Sequence, residues 1–244
     1  MVKISPDFAE LCGIHAGDGY LRNDGKRREL DISGNIEERE YYLYHVIPIF
    51  NKAFNLKLKG KFFPYRNTYG FVLRDRNVIQ LFHKVGFPYG SKSTTVSIPE
   101  AIMDSNNINL YKRFLRGYFD TDGCVTFDKK IYNKDPFKIS RNYYPRLCFA
   151  TCSYKLAKDF KYIASILGFD AAMYKYIPKK ITENIKYPIQ ICGKNSLEKW
   201  MKLIGSKNPT KISRYLIWRK FSFCPPNTTY GERLKILKGE LNPN

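Results

Sequence analysis

Two stretches of the chain repeat one pattern, and each ends in an acidic residue followed by glycine. Residues 11–19 read LCGIHAGDG, and residues 115–123 read LRGYFDTDG. Both are mainly apolar, carry Gly at the third position and close on Asp-Gly, so Asp18 and Asp122 are equivalent. The repeat indicates two similar halves, each supplying one carboxylate to a shared site.

Helix signals surround both copies of the motif. Ser5 suits the N-cap of the first helix, Pro6 suits its first position, and the helix is expected to run to about Gly17. The matching helix is predicted over 109–121. Each acid then lies at a helix C-terminus and precedes a glycine suited to a left-handed cap.

Further patterns recur after each acid. Leu30 and Ile32 alternate with polar residues as in a half-buried strand, and Leu147 and Phe149 repeat the alternation. Two apolar helical stripes follow in each half, together with strand-like segments over 56–75 and 170–192. The stripe residues are Leu43, Ile47, Phe50 and Phe54, then Val78, Leu81, Phe82 and Val85, and in the second half Leu156, Phe160, Ile163 and Leu167, then Leu197, Trp200, Met201 and Ile204.

These patterns predict an α+β fold of two pseudo-symmetric halves with one antiparallel sheet each. Each half is expected to run helix-strand-strand-helix-strand-strand-helix. The first half is assigned to 1–98, a linker to 99–108, and the second half with a C-terminal tail to 109–244. The offset between repeats grows along the chain, which indicates insertions in the second half, mainly in the strand connection over 129–144.

The composition is strongly basic, with 42 Lys and Arg against 22 Asp and Glu and a net charge of +20. Such a balance indicates a polyanionic partner, most often nucleic acid. A Lys-rich composition from an AT-biased genome is the alternative. No apolar run approaches the roughly 18 residues of a membrane span, and the first ten residues lack the apolar segment of a signal peptide. We expect a soluble, intracellular protein.

The six cysteines form no CxxC pair. They are expected to be reduced and mostly buried thiols rather than zinc ligands.

The two acids indicate a cation site. A carboxylate at a helix C-terminus faces the negative end of the helix dipole, and two such groups brought together repel each other. Mg²⁺ prefers hard oxygen ligands and would offset both effects. Gly13 and Gly17, matched by Gly117 and Thr121, would let the two helices approach closely and bring the acids to one point. Asp-Gly alone is a common turn dipeptide; the repeat in a basic chain favours a site.

The two motifs resemble the nine-residue motif of the LAGLIDADG homing endonucleases. GDGYL at 17–21 and ISGN at 32–35 also resemble the monomeric, two-repeat members. The resemblance covers about residues 5–220. One departure is Ala16, where the motif has its first Asp; Asp120 keeps that acid in the second copy.

The resemblance implies that the motif helices form the interface between the halves and that the sheets form a saddle in the DNA major groove. It implies two or three divalent cations, expected to be Mg²⁺, bound by Asp18 and Asp122 with the backbone carbonyls of Gly17 and Thr121. It also implies a double-strand break with short 3′ overhangs at a long, asymmetric target.

The resemblance also implies one basic residue per half near the attacking water. Gly-Ser-Lys occurs once per half, so Lys92 and Lys207 are the candidates, with Lys211 as the main competitor in the second half. The alternative is that Gly-Ser-Lys is only a loop.

Strand-like segments supply candidate DNA contacts, since a two-stranded ribbon can enter the major groove. Strand alternation should send only some of them to DNA, and any of them could simply be solvated. The candidates are Arg22, Arg28, Lys61, Arg66, Tyr69 and Arg74, then Lys130, Arg141, Arg146, Lys175, Lys179 and Lys186.

Two other functions share this fold. An intron-encoded RNA maturase, with host intron RNA as partner, is the main alternative, and a DNA-binding regulator with a dead nuclease site is the third. The two intact acids favour the nuclease. The initial Met and the absence of a splicing Cys or Ser and of a terminal His-Asn lead us to expect a free-standing, intron-encoded protein. It would act in the cytoplasm or nucleoid of an archaeon or bacterium, or in an organelle.

Overall fold

The computed structural model describes residues 4–129 and 143–243. The first half begins with the motif helix α1, which the Ser5 hydroxyl caps by accepting a hydrogen bond from the backbone N–H of Phe8 at 3.1 Å. The elements of this half are α1 (Pro6–Asp18), β1 (Gly19–Asn23), β2 (Arg28–Asn35), α2 (Arg39–Tyr41), α3 (Ile47–Phe54), β3 (Lys61–Phe63), β4 (Thr68–Leu73) and α4 (Arg76–Lys84). A 3₁₀ turn (Ile36–Glu38) precedes α2, and a π-helical turn (Tyr42–Val46) joins α2 to α3.

The short helix α5 (Glu100–Met103) lies within the predicted linker. The second half repeats the order of the first and adds two helices. Its elements are α6 (Ile108–Asp122), β5 (Cys124–Asp128), β6 (Tyr144–Thr151), α7 (Tyr154–Ile166), β7 (Ala171–Met173), β8 (Tyr187–Cys192), α8 (Lys194–Leu203), α9 (Pro209–Phe221) and α10 (Tyr230–Lys238). Most of the predicted insertion over 129–144 lies outside the described residues.

Each half contains one antiparallel sheet, with strand orders β1-β2-β4-β3 and β5-β6-β8-β7. The registers correspond: Leu21 pairs with Leu30 in one sheet, and Val125 pairs with Leu147 in the other. The predicted α+β fold of two pseudo-symmetric halves is therefore confirmed. The repeat does not predict helix α9, because the first half has no comparable pattern to reveal it.

Aromatic side chains fill the space between each sheet and its helices. In the first half Phe50 packs edge-on against Phe71, with ring centroids 5.0 Å apart. In the second half Phe149 packs against Phe160 at 4.4 Å. Large aromatic rings bury much apolar area, so these clusters hold each helix layer on its sheet.

The motif helices α1 and α6 pack side by side and run in parallel. A Cβ atom added to Gly13 would lie 2.2 Å from the carbonyl oxygen of Phe114, and one added to Gly117 would lie 2.2 Å from that of Glu10. Only glycine leaves room for backbones at this separation. The predicted close approach is confirmed, and it brings both helix C-termini to one end of the interface.

The glycines after the two acids differ from the prediction. Gly19 and Gly123 have φ of −84° and −82°, so neither is left-handed. The chain instead passes directly from helix to extended strand. A Cβ atom would lie 2.4 Å from the His15 ring at Gly19 and 2.4 Å from the Phe119 ring at Gly123. These positions need glycine for space rather than for handedness.

The prediction of mostly buried cysteines is wrong. Cys12 and Cys224 are buried, whereas Cys124 and Cys192 are exposed and Cys148 and Cys152 are partly exposed. The exposed thiols occur because strand alternation turns them away from the core.

Candidate active site and nucleic-acid interface

The carboxylates of Asp18 and Asp122 lie at the common C-terminal end of the motif helices. A Cβ atom on Gly17 would come within 3.3 Å of the Asp122 carboxyl carbon and 2.1 Å of the Thr121 hydroxyl. The end of α1 therefore contacts the end of α6. The parallel helices bring together the two acids that the repeat predicts for one site.

Burial raises the pKa of both acids. It raises the pKa of Asp18 to about 7, with smaller contributions from the charges of Asp122 and Glu38; a hydrogen bond from Tyr42 and the charge of Lys211 oppose the rise. Burial also raises the pKa of Asp122, while the cations of Lys92 and Lys211 oppose it. Both shifts favour the protonated acids, and the nearby lysine cations favour the ionised forms, although Asp122 remains exposed to solvent.

Tyr42 and Glu38, which the sequence did not single out, complete the acidic side of the site. The Tyr42 hydroxyl, in the π-helical turn, donates a hydrogen bond to Asp18 Oδ2. Glu38 ends the preceding 3₁₀ turn, and its Oε1 accepts a hydrogen bond from Asn208 Nδ2 at 2.7 Å. The irregular helix of the first half thereby reaches into the second half.

Lys92 reaches the end of α1. Its Nζ donates a hydrogen bond to the backbone carbonyl of Gly17 at 2.7 Å. Burial lowers the pKa of Lys92, and the charges of Asp122 and Asp18 oppose that shift. A lysine in this position can supply positive charge beside the acids or exchange a proton more easily than an exposed lysine.

In the second half the structure brings Lys211, rather than Lys207, to the corresponding position. Lys211 is buried in α9, and its Nζ donates to the carbonyls of Thr121, at 3.1 Å, and Gly123. Lys207 is exposed, and its backbone N–H donates to Asp120 Oδ2 at 2.7 Å. A catalytic role for Lys207 stays a prediction; the structure anchors its loop through the backbone and turns that side chain to solvent.

Asp120, the first acid of the second motif, holds this loop in place. Its carboxylate accepts hydrogen bonds from the Ser206 hydroxyl and the Lys207 backbone, and Asn208 Nδ2 donates to its carbonyl at 2.8 Å. Burial raises the pKa of Asp120 to about 6, against these hydrogen bonds. Ala16 stands at the matching position in the first motif and supplies no such anchor.

The oxygen donors at this point fit a hard divalent cation. The donors are the carboxylates of Asp18 and Asp122 and the carbonyls of Gly17 and Thr121, which now accept hydrogen bonds from Lys92 and Lys211. Over 4–129 and 143–243 no three His, Cys, Asp or Glu side chains are grouped to hold a metal ion. Any ion here would therefore depend on the two carboxylates, backbone carbonyls and substrate oxygens.

A cleft of about 400 Å³ opens beside Asp122. Gly17, Lys92 and Lys186 also line it. The sequence places Lys186 only among the DNA contacts, and the structure brings it to the edge of the acidic site.

The face of each sheet opposite the core carries part of the predicted basic set. Directly opposed residues in antiparallel strands share a face. Lys61 pairs with Gly70, Arg22 with Glu29 and Arg146 with Cys192, all on the open faces. Arg74 lies just beyond β4, and Arg66 lies in a 3₁₀ turn with its guanidinium 4.4 Å from the Phe63 ring centroid.

Carboxylates orient the arginines on these faces. The pairs are Arg22 with Asp24 at 2.6 Å, Arg66 with Asp31 at 2.7 Å, Arg74 with Glu29 at 2.8 Å, and Arg146 with Asp128. Exposed pairs of this kind contribute little to stability, so their main effect is on the direction of the guanidinium groups.

The other predicted contacts lie elsewhere or outside the described residues. Tyr69 alternates to the core face and is buried, with Arg39 5.4 Å from its ring centroid, so it is not available to DNA. Arg28 is two residues before the core-facing Leu30, so strand alternation puts it on the core side. It nevertheless lies exposed at the end of the strand, where its Nε donates a hydrogen bond to Asn23. Lys175 and Lys179 are exposed beyond β7. Lys130 and Arg141 lie outside the described residues.

Comparison with known proteins agrees with this architecture. The model of the LAGLIDADG-like domain matches residues 109–205. The crystal structure of I-DmoI in complex with DNA and Mn superposes with a TM-score of 0.55 at 15% identity, covering 83% of this chain and 98% of that one. The chain has the two-repeat LAGLIDADG fold. The resemblance drawn from the two motifs is thus confirmed.

A second solved structure shares the LAGLIDADG fold. It is the I-LtrWI LAGLIDADG homing endonuclease bound to target DNA, with a TM-score of 0.56 at 11% identity and coverage of 89% of both chains. At such low identity the likeness establishes the fold and not the activity.

The curated relatives of this chain are much longer proteins. An A-type ATP synthase protein of Pyrococcus abyssi is 28% identical over 193 residues, covering 79% of this chain and 16% of that protein. The uncharacterized protein MJ1054 of Methanocaldococcus jannaschii is 25% identical over 214 residues, covering 84% and 22%. The chain therefore spans less than a quarter of the length of either relative.

Within the described ranges, the chain shows no helix that is long and apolar enough to cross a bilayer. This agrees with the absence of long apolar runs in the sequence.

Proposed function

We propose that this chain is a site-specific DNA endonuclease that hydrolyses a phosphodiester bond in each strand of a long, asymmetric target. The observation that carries the proposal is the meeting of two carboxylates, the partly buried Asp18 and the solvent-exposed Asp122, at the ends of parallel motif helices. Each helix end also accepts a hydrogen bond from a lysine, Lys92 or Lys211.

Asp18 and Asp122, with the carbonyls of Gly17 and Thr121, would hold Mg²⁺, in two or three ions. When bound, such ions polarise a phosphate and lower the pKa of a water molecule. The solved relative I-DmoI in complex with DNA and Mn supports a divalent cation in this role.

Three side chains of the protein would orient the carboxylate and supply positive charge at the reacting phosphate. Tyr42 orients the Asp18 carboxylate through its hydroxyl. Lys92 and Lys211 would offset the negative charge that develops on the phosphate. Lys92, whose pKa burial lowers, is the better placed of the two to exchange a proton with water.

The open faces of both sheets would bind the DNA. Lys61, Arg66 and Arg74 would act from the first half, and Arg146 and Lys186 from the second. Many of these cations would contact phosphates, which gives an affinity that falls steeply with salt. A single chain supplies both halves, so we propose a monomer that acts where DNA is present, in the cytoplasm or nucleoid of an archaeon or bacterium, or in an organelle.

The test is cleavage of a supercoiled plasmid carrying the joined sequences that flank the gene, with Mg²⁺ and with EDTA. The proposal requires linear product in Mg²⁺ alone. Asp18→Asn and Asp122→Asn should abolish linear product while DNA binding in a gel-shift assay persists. Double-strand cleavage by Asp18→Asn at the wild-type rate would refute the site.

The same flanking sequences allow a splicing assay. If the chain promotes splicing of an intron transcript and leaves the plasmid intact, it is an intron-encoded maturase and not a nuclease.

A further inference from the structure

Cysteines lie directly opposite each other on the open face of the second sheet. Cys124 in β5 pairs in register with Cys148 in β6, and both alternate with core residues. Cys124 is exposed and Cys148 is partly exposed. Side chains that oppose each other in an antiparallel pair share a face, so the two thiols are neighbours.

Thr126, the next residue of β5 on the same face, lies beside the pair. Its hydroxyl is 3.4 Å from Cys148 Sγ. Cys192, on the same face, is in register with Arg146 rather than with another cysteine. The sheet therefore places Cys124 and Cys148 opposite each other. Cys192 is an exposed thiol on the same face that faces Arg146, so it serves as the control cysteine.

The fold does not require this pair. The equivalent positions in the first sheet are Tyr20 and Asp31, which also oppose each other in register. Since those residues support the same strand pairing, the two cysteines are a property of the second half alone.

The spacing permits a covalent bond. Opposed residues in antiparallel strands have Cβ atoms about 4.5–5.5 Å apart, and a disulfide needs about 3.5–4.5 Å. A small approach of β5 to β6 would close the bond, and the strain of that approach would keep it easy to reduce.

Exposure decides which thiol meets an oxidant first. Cys124 is exposed to solvent, whereas Cys148 is only partly exposed and also contacts the Thr126 hydroxyl. Oxidation of a thiol requires access as well as a nucleophilic sulfur. Cys124 is therefore the attacking thiol, and Cys148 is the partner that lies within reach of the oxidised product.

We propose that Cys124 and Cys148 form a redox-active dithiol site that hydrogen peroxide oxidises to a reversible cross-strand disulfide. The site is separate from the acids, although Cys124 directly follows Gly123, whose carbonyl accepts a hydrogen bond from Lys211. A bond that draws β5 toward β6 acts on the segment that continues from Asp122.

The reaction balances with the peroxide as the oxidant. The Cys124 thiolate attacks one peroxide oxygen, the O–O bond breaks, and the leaving oxygen departs as water after it takes up a proton. The sulfenic acid formed on Cys124 is then attacked by the Cys148 sulfur, so the S–O bond breaks, the S–S bond forms, and the thiol proton leaves with a second water. Both sulfurs are oxidised, and both peroxide oxygens are reduced to water.

The test treats the reduced full chain with a small excess of hydrogen peroxide, blocks free thiols with N-ethylmaleimide and maps the peptides by mass spectrometry. We expect a linked Cys124–Cys148 peptide, which dithiothreitol releases. Cys192→Ser is the matched control and should form the same link at the same rate. Cys148→Ser should form no link and should instead carry a sulfenic acid on Cys124 that dimedone traps.

The wild-type peptide map decides the matter even if the Cys148→Ser chain does not fold. Oxidation of Cys192 or Cys152 before Cys124, or modification of Cys124 without a link to Cys148, would overturn the proposal. A second measurement on the wild type tests reversibility: excess reduced glutathione should open the cross-link and restore both free thiols. A link that survives this treatment would contradict a reversible site.

Discussion

The ammonium group of Lys211 lies 3.1 Å from the carbonyl oxygen of Thr121, the residue before the second motif carboxylate. The Lys92 ammonium has the same relationship to Gly17, at 2.7 Å. The two contacts are pseudo-symmetric, although Lys92 follows a Gly-Ser sequence and Lys211 lies in the first turn of a helix. A lysine at each motif helix end is thus a shared feature of both halves, reached by different local structures.

Lys211→Met should destabilise the protein far more than Lys207→Met. Removing the buried ammonium leaves the carbonyls of Thr121 and Gly123 without this donor, and we expect a loss of about 2–3 kcal/mol in the free energy of unfolding. Lys207 is exposed, so Lys207→Met should change the free energy of unfolding by less than about 0.5 kcal/mol. Urea denaturation of both variants measures the difference. Equal losses would contradict the assignment of Lys211.

Gly13→Ala should loosen the interface between the motif helices. The new Cβ atom would lie 2.2 Å from the Phe114 carbonyl oxygen, so the helices must separate, at a cost of about 1–3 kcal/mol. The control is Gly231→Ala in α10, where a Cβ atom meets nothing within 4 Å. That change should stabilise by up to about 1 kcal/mol, because alanine favours helix. The urea midpoints of the two variants should therefore move in opposite directions.

Stability without metal should fall as pH rises from about 4 to about 7. The pKa of Asp18 is about 7 in the folded protein and about 4 in the unfolded chain, so the folded state holds the proton more tightly. The protonated Asp18 therefore stabilises the folded state in full below the pKa of the unfolded chain. This stabilisation, up to about 4 kcal/mol, is lost as the pH rises through the pKa of the folded protein. Asp120, with a pKa of about 6, adds to the loss over the lower part of the range.

Urea denaturation in EDTA at several pH values measures this dependence. Asp18→Asn should flatten the profile, whereas Asp170→Asn, at an exposed site, should leave it unchanged. Mg²⁺ should restore stability near neutral pH in the wild type, because a ligand that binds the folded state stabilises it. A wild-type profile that rises from pH 4 to 7 would exclude the raised pKa.

Glu10→Gln should be strongly destabilising. Glu10 is fully buried in α1 and pairs across the interface with Arg113, at 2.8 Å, and Arg116, while His45 Nε2 lies 2.7 Å away. Loss of its charge leaves two largely buried arginines without this partner, at a cost of about 3–5 kcal/mol. Thermal denaturation of this variant can be compared with Lys155→Met, which breaks the surface pair with Asp159 and should have an effect below about 0.5 kcal/mol.

Strand alternation alone did not decide which charged residues face outward. Arg22 and Arg146 lie on the open faces as expected, but Tyr69 turns to the core, because its register with Gly34 places it on the same side as Leu30 and Ile32. A polar or aromatic strand residue gives no sign of its face until its partner strand is known. The pattern of short segments therefore predicted the sheets better than it predicted their surfaces.

The amino-acid sequence by itself determined the two motif helices, the acids at their ends, the glycines between them and the order of helices and strands in two similar halves. These features depend on local periodicity and on repetition, which are visible in one chain. Tertiary structure alone decided that Lys211 rather than Lys207 contacts the end of α6, that Tyr42 hydrogen-bonds Asp18, that Glu38 lies 3.7 Å from Lys211, and that two cysteines face each other. Each of these depends on contacts between residues far apart in the chain, and such contacts follow from the packing of strands and halves rather than from any local pattern.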